Sequence, residues 1–121
     1  MDGVDLTHLH LHVRDRGVSA AFYRRWFGLQ IEKAGQEITF MRGDRSFLLA
    51  LMEDSAPAPM PPWFHFGISI GSPQGVRDTL AAMEAAAVPI VKPLYADDTL
   101  VSFRCADPDD YRIEVYWEAT R

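Results

Sequence analysis

Apolar and polar residues alternate in two short stretches that occupy corresponding places in the two halves of the chain. Residues 6–13 read L-T-H-L-H-L-H-V, which puts leucine and valine on one face and histidine on the other. Residues 64–70, F-H-F-G-I-S-I, alternate in a similar way. A period of two is typical of a strand with one buried face. We therefore predict that each half begins with a β-strand.

A stretch with helical periodicity follows each of these strands. The first runs from about Val18 to Phe27 and stops at Gly28, a good helix terminator. The second follows Ser72, a preferred N-cap residue, has Pro73 at its first position and is ended by Pro89. Strand-like segments follow each helix, at residues 29–33, 37–42 and 47–53 in the first half and 90–93, 99–105 and 112–117 in the second. The order β-α-β-β-β is thus predicted twice.

The repeat indicates one domain of 121 residues that is built from two modules. Module one covers about residues 5–53 and module two about residues 63–118. Between them, residues 54–62 read D-S-A-P-A-P-M-P-P, and the four prolines of this linker cannot serve a sheet ladder. The predicted fold class is α+β, with two βαβββ modules that have mixed sheets and pair to form a cleft.

Charge and composition restrict the partners and the compartment. The net charge is −5 and there is no basic run, which argues against nucleic acid and anionic membranes as partners. Cys105 is the single cysteine, so no internal disulfide is possible, as suits a reducing cytoplasm. There is no signal-peptide pattern and no apolar stretch of the roughly 20 residues that a membrane span requires. We expect a cytoplasmic protein.

Three polar residues stand at strand positions that suggest a metal site. His8 and His65 occupy the same place in the two modules, at an offset of 65 − 8 = 57. Glu114 lies in the last strand between isoleucine and valine, where a carboxylate costs free energy unless it is paired. Taken singly, each has a plainer explanation as a satisfied polar or edge residue. Together, two imidazoles and a carboxylate form a site for one divalent ion per chain, Mn, Fe, Zn or Ni, with coordination positions left open.

Four segments of the chain resemble the vicinal oxygen chelate superfamily. They are the two alternating stretches, the run S-A-A-F-Y-R-R-W-F-G-L at residues 19–29, and the run F-R-C-A-D-P-D-D-Y-R-I-E-V at residues 103–115. This superfamily includes glyoxalase I, methylmalonyl-CoA epimerase, fosfomycin-resistance thiol transferases, extradiol dioxygenases and bleomycin-resistance proteins. The resemblance covers nearly the whole chain and implies a homodimer, often with active sites completed by both subunits. One departure is Asp110, where the family usually has glycine in the turn.

The resemblance leaves the reaction open. Ala50 stands where glyoxalase I and the epimerases carry a fourth ligand, and Arg104 stands where extradiol dioxygenases carry a tyrosine. The fosfomycin-type ligand set matches, but the groups that bind the phosphonate do not. We predict an enzyme whose metal acts as a Lewis acid on a small oxygen-chelating substrate, of isomerase, lyase or thiol-transferase type. The alternatives are a metal-independent drug-binding resistance protein and an extradiol-type dioxygenase.

Three further residues are predicted to act on the substrate. His10 lies on the histidine face of the first strand and is a candidate general base, because imidazole titrates near neutral pH; a partly exposed structural residue is the alternative. Tyr116 shares the face of Glu114 and is a candidate hydrogen-bond donor, with a plain packing residue as the alternative. Arg104 is predicted to bind an anionic or carbonyl-bearing substrate, with an ion pair to Glu114 or a nearby aspartate as the alternative.

Overall fold

Residues 2–44 and 47–120, the part of the chain that the computed structural model describes, form eight strands and two helices. They divide into two compact units, of which the first ends at Ala58 and the second begins at Pro59. Neither helix is long and apolar enough to cross a membrane in the described part of the chain.

The first unit has the order β-α-β-β-β. Its elements are β1 (His8–Val13), α1 (Arg16–Phe27), β2 (Gln30–Ala34), β3 (Ile38–Arg42) and β4 (Leu48–Glu53). The sheet order is β1-β4-β3-β2, in which β1 pairs with β4 in parallel and the other pairs are antiparallel. Leu11 and Val13 are 3% and 0% exposed, so the apolar face of β1 belongs to the core.

The second unit repeats this order and topology. Its elements are β5 (His65–Ser69), α2 (Pro73–Ala85), β6 (Ile90–Ala96), β7 (Leu100–Ala106) and β8 (Arg112–Glu118). The sheet order is β5-β8-β7-β6, again with one parallel pair, β5 with β8. The predicted α+β class with two βαβββ modules and mixed sheets is therefore confirmed.

Gly28 and Ser72 cap their helices as the sequence indicates, but the bounds of both helices differ from the predicted ones. Helix α1 begins earlier, because Asp15 caps it by accepting a hydrogen bond from the amide of Val18 at 3.1 Å. Gly28 ends it in the left-handed conformation, with φ of 69°. Helix α2 ends at Ala85 rather than near Pro89, because Ala87 already has a left-handed φ of 60°.

The turn between β7 and β8 sets the position of Glu114. The Asp107 carboxylate accepts hydrogen bonds from the amides of Asp109 and Tyr111, both at 2.9 Å, and Asp107 is 5% exposed. Asp110 has φ of 66°, in the left-handed region. That geometry explains why glycine suits this turn position, since a side chain is disfavoured there.

Candidate metal centre

The exposed face of β1 carries the three histidines of the first unit. The histidines are exposed and alternate with residues that become fully buried toward the end of the strand. The Nδ1 atom of His8 lies 3.2 Å from the Thr7 hydroxyl oxygen. When Nδ1 donates its hydrogen to that oxygen, the Nε2 atom of the uncharged ring presents the lone pair that a metal ligand needs.

His12 has a structural partner that sequence reasoning did not identify. Its Nδ1 atom lies 2.9 Å from Asp54 Oδ2, and Asp54 Oδ1 accepts a hydrogen bond from the amide of Ala56. The hydrogen bond from His12 lowers the pKa of the Asp54 carboxyl, with a smaller contribution from the Ala56 amide. His12 therefore fastens the end of β1 to the segment that follows β4. The ring of His10 lies 5.2 Å from that of His12, centre to centre.

In the second unit, the backbone fixes the orientation of His65. The His65 Nδ1 atom lies 3.0 Å from the carbonyl oxygen of Trp63. A carbonyl can only accept a hydrogen bond, so Nδ1 carries the hydrogen and Nε2 of the uncharged ring presents a lone pair. Such a bond to the second ring nitrogen is the usual way in which a metal-binding histidine is oriented.

Glu114 faces the lone pair of His65. The Nε2 atom of His65 lies 3.7 Å from Glu114 Oε1, and both side chains are partly buried. On either side of Glu114 in the sequence, Ile113 and Val115 are 0% exposed and point into the core. Two hydrogen-bond acceptors thus converge, and a proton on the imidazole or a cation between them relieves their repulsion. An imidazole nitrogen with a carboxylate oxygen is a donor set that suits divalent transition metals.

A cavity of about 340 Å³ opens beside this pair. The residues that line it come from three strands: His65, Phe66, Gly67, Leu100, Glu114, Tyr116 and Glu118. A Cβ atom at Gly67 would lie 3.0 Å from the Tyr116 ring, so a larger residue 67 would require the ring to shift. Sequence reasoning named Tyr116 but missed Gly67, although a glycine within a strand is a signal of close approach.

Arg104 lies on the neighbouring strand, directly opposite Glu114 in the antiparallel register of β7 and β8. Its Nε atom is buried and has no hydrogen-bond partner. In residues 2–44 and 47–120, Arg104 forms no ion pair with Glu114 or with an aspartate. The next residue, Cys105, is 0% exposed on the opposite face, and burial raises the pKa of its thiol to about 12. Cys105 is therefore a core residue without reactivity.

The structure brings together two of the three predicted metal ligands, His65 and Glu114, while His8 belongs to the first unit. Within the described residues, no group of three or more histidine, cysteine, aspartate or glutamate side chains is arranged to hold a metal ion. The complete ligand set, like the roles of His10, Arg104 and Tyr116, stays a prediction.

Comparisons with known proteins give the family. Residues 5–115 match the family described as the Glyoxalase/Bleomycin resistance protein/Dioxygenase superfamily. The chain therefore belongs to this superfamily, the vicinal oxygen chelate proteins, as the sequence motifs predicted. No sequence among the curated proteins matches the chain.

Solved structures of several members have the same fold. A possible glyoxalase from Bacillus cereus is 25% identical, with a TM-score of 0.81 over 93% of this chain and 98% of that one. The fosfomycin resistance protein FosX from Listeria monocytogenes is 19% identical, with a TM-score of 0.82 over 96% and 94%. A lactoylglutathione lyase from Agrobacterium tumefaciens is 20% identical, with a TM-score of 0.74 over 97% and 96%.

Proposed function

We propose that the protein is a divalent-metal-dependent enzyme of the vicinal oxygen chelate superfamily, in which His8, His65 and Glu114 bind the metal. The observation that supports this most is the convergence of His65 Nε2 and Glu114 Oε1 at 3.7 Å. The hydrogen bond from His65 Nδ1 to the Trp63 carbonyl leaves Nε2 free to donate its electron pair to a cation.

A metal ion bound there supplies Lewis-acid chemistry, by polarising oxygens of a small substrate and stabilising negative charge that develops on them. The chain's own residues position the substrate. The cavity of about 340 Å³ beside His65 and Glu114 lies at the small end of the range for ligand pockets. Tyr116, in its wall, donates a hydrogen bond to the substrate, and His10 acts as the general base. Isomerase, lyase and thiol-transferase reactions are all compatible with this arrangement.

Metal analysis of the protein purified without added metal tests the proposal. Wild type should contain one divalent ion per chain. The variants His8→Ala, His65→Ala and Glu114→Ala should each lose more than about 100-fold in metal affinity, because even outer-shell partners are worth about 10–100-fold. His12→Ala is the matched control, since it removes a histidine of the same β1 face whose partner is Asp54. It should keep the metal content of wild type.

The same experiment separates the competing functions. If the ligand variants hold as much metal as wild type, the proposed site is wrong. If wild type itself holds no metal, a metal-independent ligand-binding protein becomes the better account. Oxygen uptake in the presence of catechols would instead support an extradiol-type dioxygenase.

We also propose that the protein acts as a homodimer on a small-molecule substrate. Its single cysteine, Cys105, is a buried free thiol, which supports a reducing, cytoplasmic location. The dimer is supported by the resemblance of the chain to proteins whose sites are completed by both subunits.

A further inference from the structure

We propose that the substrate of this site carries an anionic oxygen group, such as a carboxylate, and that Arg104 binds it next to the metal. The inference rests on the proposed function, because it places the anion beside a metal at Glu114. It goes beyond that function by naming the class of substrate that the site selects.

The register of the second sheet places Arg104 beside Glu114. Arg104 and Glu114 are direct cross-strand partners, and Gly67 and Lys92 continue the same row on the two outer strands. Side chains of directly opposed residues lie on the same face, with Cβ atoms roughly 4.5–5.5 Å apart. The guanidinium is therefore within reach of a ligand that is bound at Glu114. Lys92 adds a second positive charge to the row on the side away from Glu114.

Arg104 also lacks a hydrogen-bonding or acidic partner among residues 2–44 and 47–120. Its Nε atom is buried without a hydrogen bond, and the described part of the chain offers it no ion pair. Water cannot reach that atom, so one donor of the guanidinium is unsatisfied and the charge is less well solvated than that of an exposed arginine. An anion that bonds both terminal nitrogens offsets part of this cost, and the planar fork of arginine matches a carboxylate.

A second arginine, Arg112, differs from Arg104 in having an acidic partner. Arg112 lies on the same face, one strand away from Arg104, and the two are separated along their strands by one pair in the β7–β8 register. Its Nε atom lies 3.7 Å from Asp110 Oδ1, so it already has an acidic partner. Arg112 thus serves as a control of equal charge and type on the same sheet face.

The test measures the binding of oxalate and of its neutral analogue oxamide by calorimetry, with metal-free protein and with Mn²⁺-loaded protein. The variants are Arg104→Gln, Arg104→Lys and, as control, Arg112→Gln. Oxalate and oxamide differ in their own affinity for metal. The decisive quantity is therefore the change in dissociation constant that each substitution causes, measured separately for each ligand.

Arg104→Gln should weaken oxalate binding about tenfold or more and leave oxamide binding within about twofold, as expected for loss of a charge-assisted pair. Arg104→Lys should recover part of the oxalate affinity, and Arg112→Gln should bind like wild type. Equal oxalate affinity in wild type and Arg104→Gln overturns the inference, whether or not metal is present. An equal loss in Arg112→Gln overturns it too, because the effect would then come from the general charge of the face.

Two further measurements on the same samples, metal content and the urea unfolding midpoint, show whether the role of Arg104 or the proposed metal site is wrong. Wild type without bound metal refutes the metal site, whereas the effect of Arg104→Gln on oxalate binding by metal-free protein still decides the role of Arg104. If Arg104→Gln loses metal or stability while Arg104→Lys does not restore oxalate binding, the residue is structural and the inference is wrong.

Discussion

At the scale of single residues, Asp110 has a strained backbone in the turn that leads into the strand of Glu114. Its φ of 66° is one that side chains with a Cβ disfavour, although aspartate tolerates it better than most. The turn nevertheless forms, because Asp107 accepts two backbone hydrogen bonds across it. The hydrogen bonds of Asp107 therefore hold Asp110 in its strained conformation. A substitution at Asp110 can remove the strain without removing those bonds.

We expect Asp110→Gly to raise the free energy of unfolding by about 0.5–1 kcal/mol, because relief of the left-handed strain exceeds the entropy that glycine adds to the unfolded chain. Urea unfolding at high salt is the suitable measurement, since salt screens the exposed pair of Asp110 with Arg112. Asp109→Gly, at a neighbouring position without a positive φ, should instead be destabilising. Lower stability of Asp110→Gly would show that the turn gains more from the aspartate than it loses in strain.

The residues of the site differ in how far the sequence reveals them. His65 and Glu114 were predictable, because a titratable side chain in an alternating strand stands out from its neighbours. The carbonyl that orients His65 was not predictable, since a main-chain acceptor leaves no mark on the residue type of Trp63. The unpaired Nε atom of Arg104 was not predictable either, because it depends on how deeply that atom is buried.

At the scale of elements, the hairpin of β6 and β7 departs most from its predicted form. The sequence predicts β6 at residues 90–93 only. The strand continues to Ala96, and its pairing with β7 is irregular between Ile90 and Lys92 and again between Lys92 and Tyr95. Proline is tolerated at such bulges, and β6 is an edge strand. The pattern of a single sequence does not reveal bulges, which is why the predicted end of β6 comes too early.

Asp97 holds the turn that closes this hairpin. Its carboxylate accepts hydrogen bonds from the Tyr95 hydroxyl at 2.5 Å, from the Thr99 amide and hydroxyl, and from the Leu100 amide. The Tyr95 hydroxyl, followed by Thr99 and Leu100, lowers the pKa of Asp97 to about 2. The charged form of the carboxylate is therefore favoured in the folded protein.

The pH dependence of stability follows from this lowered pKa. The folded pKa of Asp97 lies below the unfolded value of about 3.9, so its contribution is complete above that value and is lost as the pH falls toward about 2. We expect Asp97→Asn to unfold at lower urea concentration than wild type at neutral pH, with the difference shrinking between about pH 4 and pH 2. The exposed neighbour Asp98 provides the control, Asp98→Asn. A wild-type advantage over Asp97→Asn that is constant down to pH 2 would contradict the assignment.

At the scale of the whole molecule, the repeated order of elements carries most of the fold. Strand alternation, two capped helices and a proline-rich connection were enough to predict the βαβββ pattern twice. Surface exposure adds information that the pattern lacks. Both units expose large apolar side chains, with Leu6 at 84%, Val4 at 68% and Trp63 at 73%. Single exposed apolar side chains are common on protein surfaces, so the proposed homodimer rests on the resemblance to the family and needs a direct test.

Light scattering at micromolar concentration should give twice the mass of one chain, as the commonest symmetric assembly requires.

Mixed variants then test whether both subunits complete each metal site, as the resemblance to the family implies. His8→Ala and His65→Ala each break every site of their own homodimers. If His8 of one subunit acts with His65 and Glu114 of the other, each mixed dimer contains one site in which all three ligands are intact. Unfolding and refolding the two variants together should therefore restore metal binding, whereas refolding them separately should not. Mixed dimers without bound metal would place all three ligands in the same chain, and a monomer mass would refute the dimer itself.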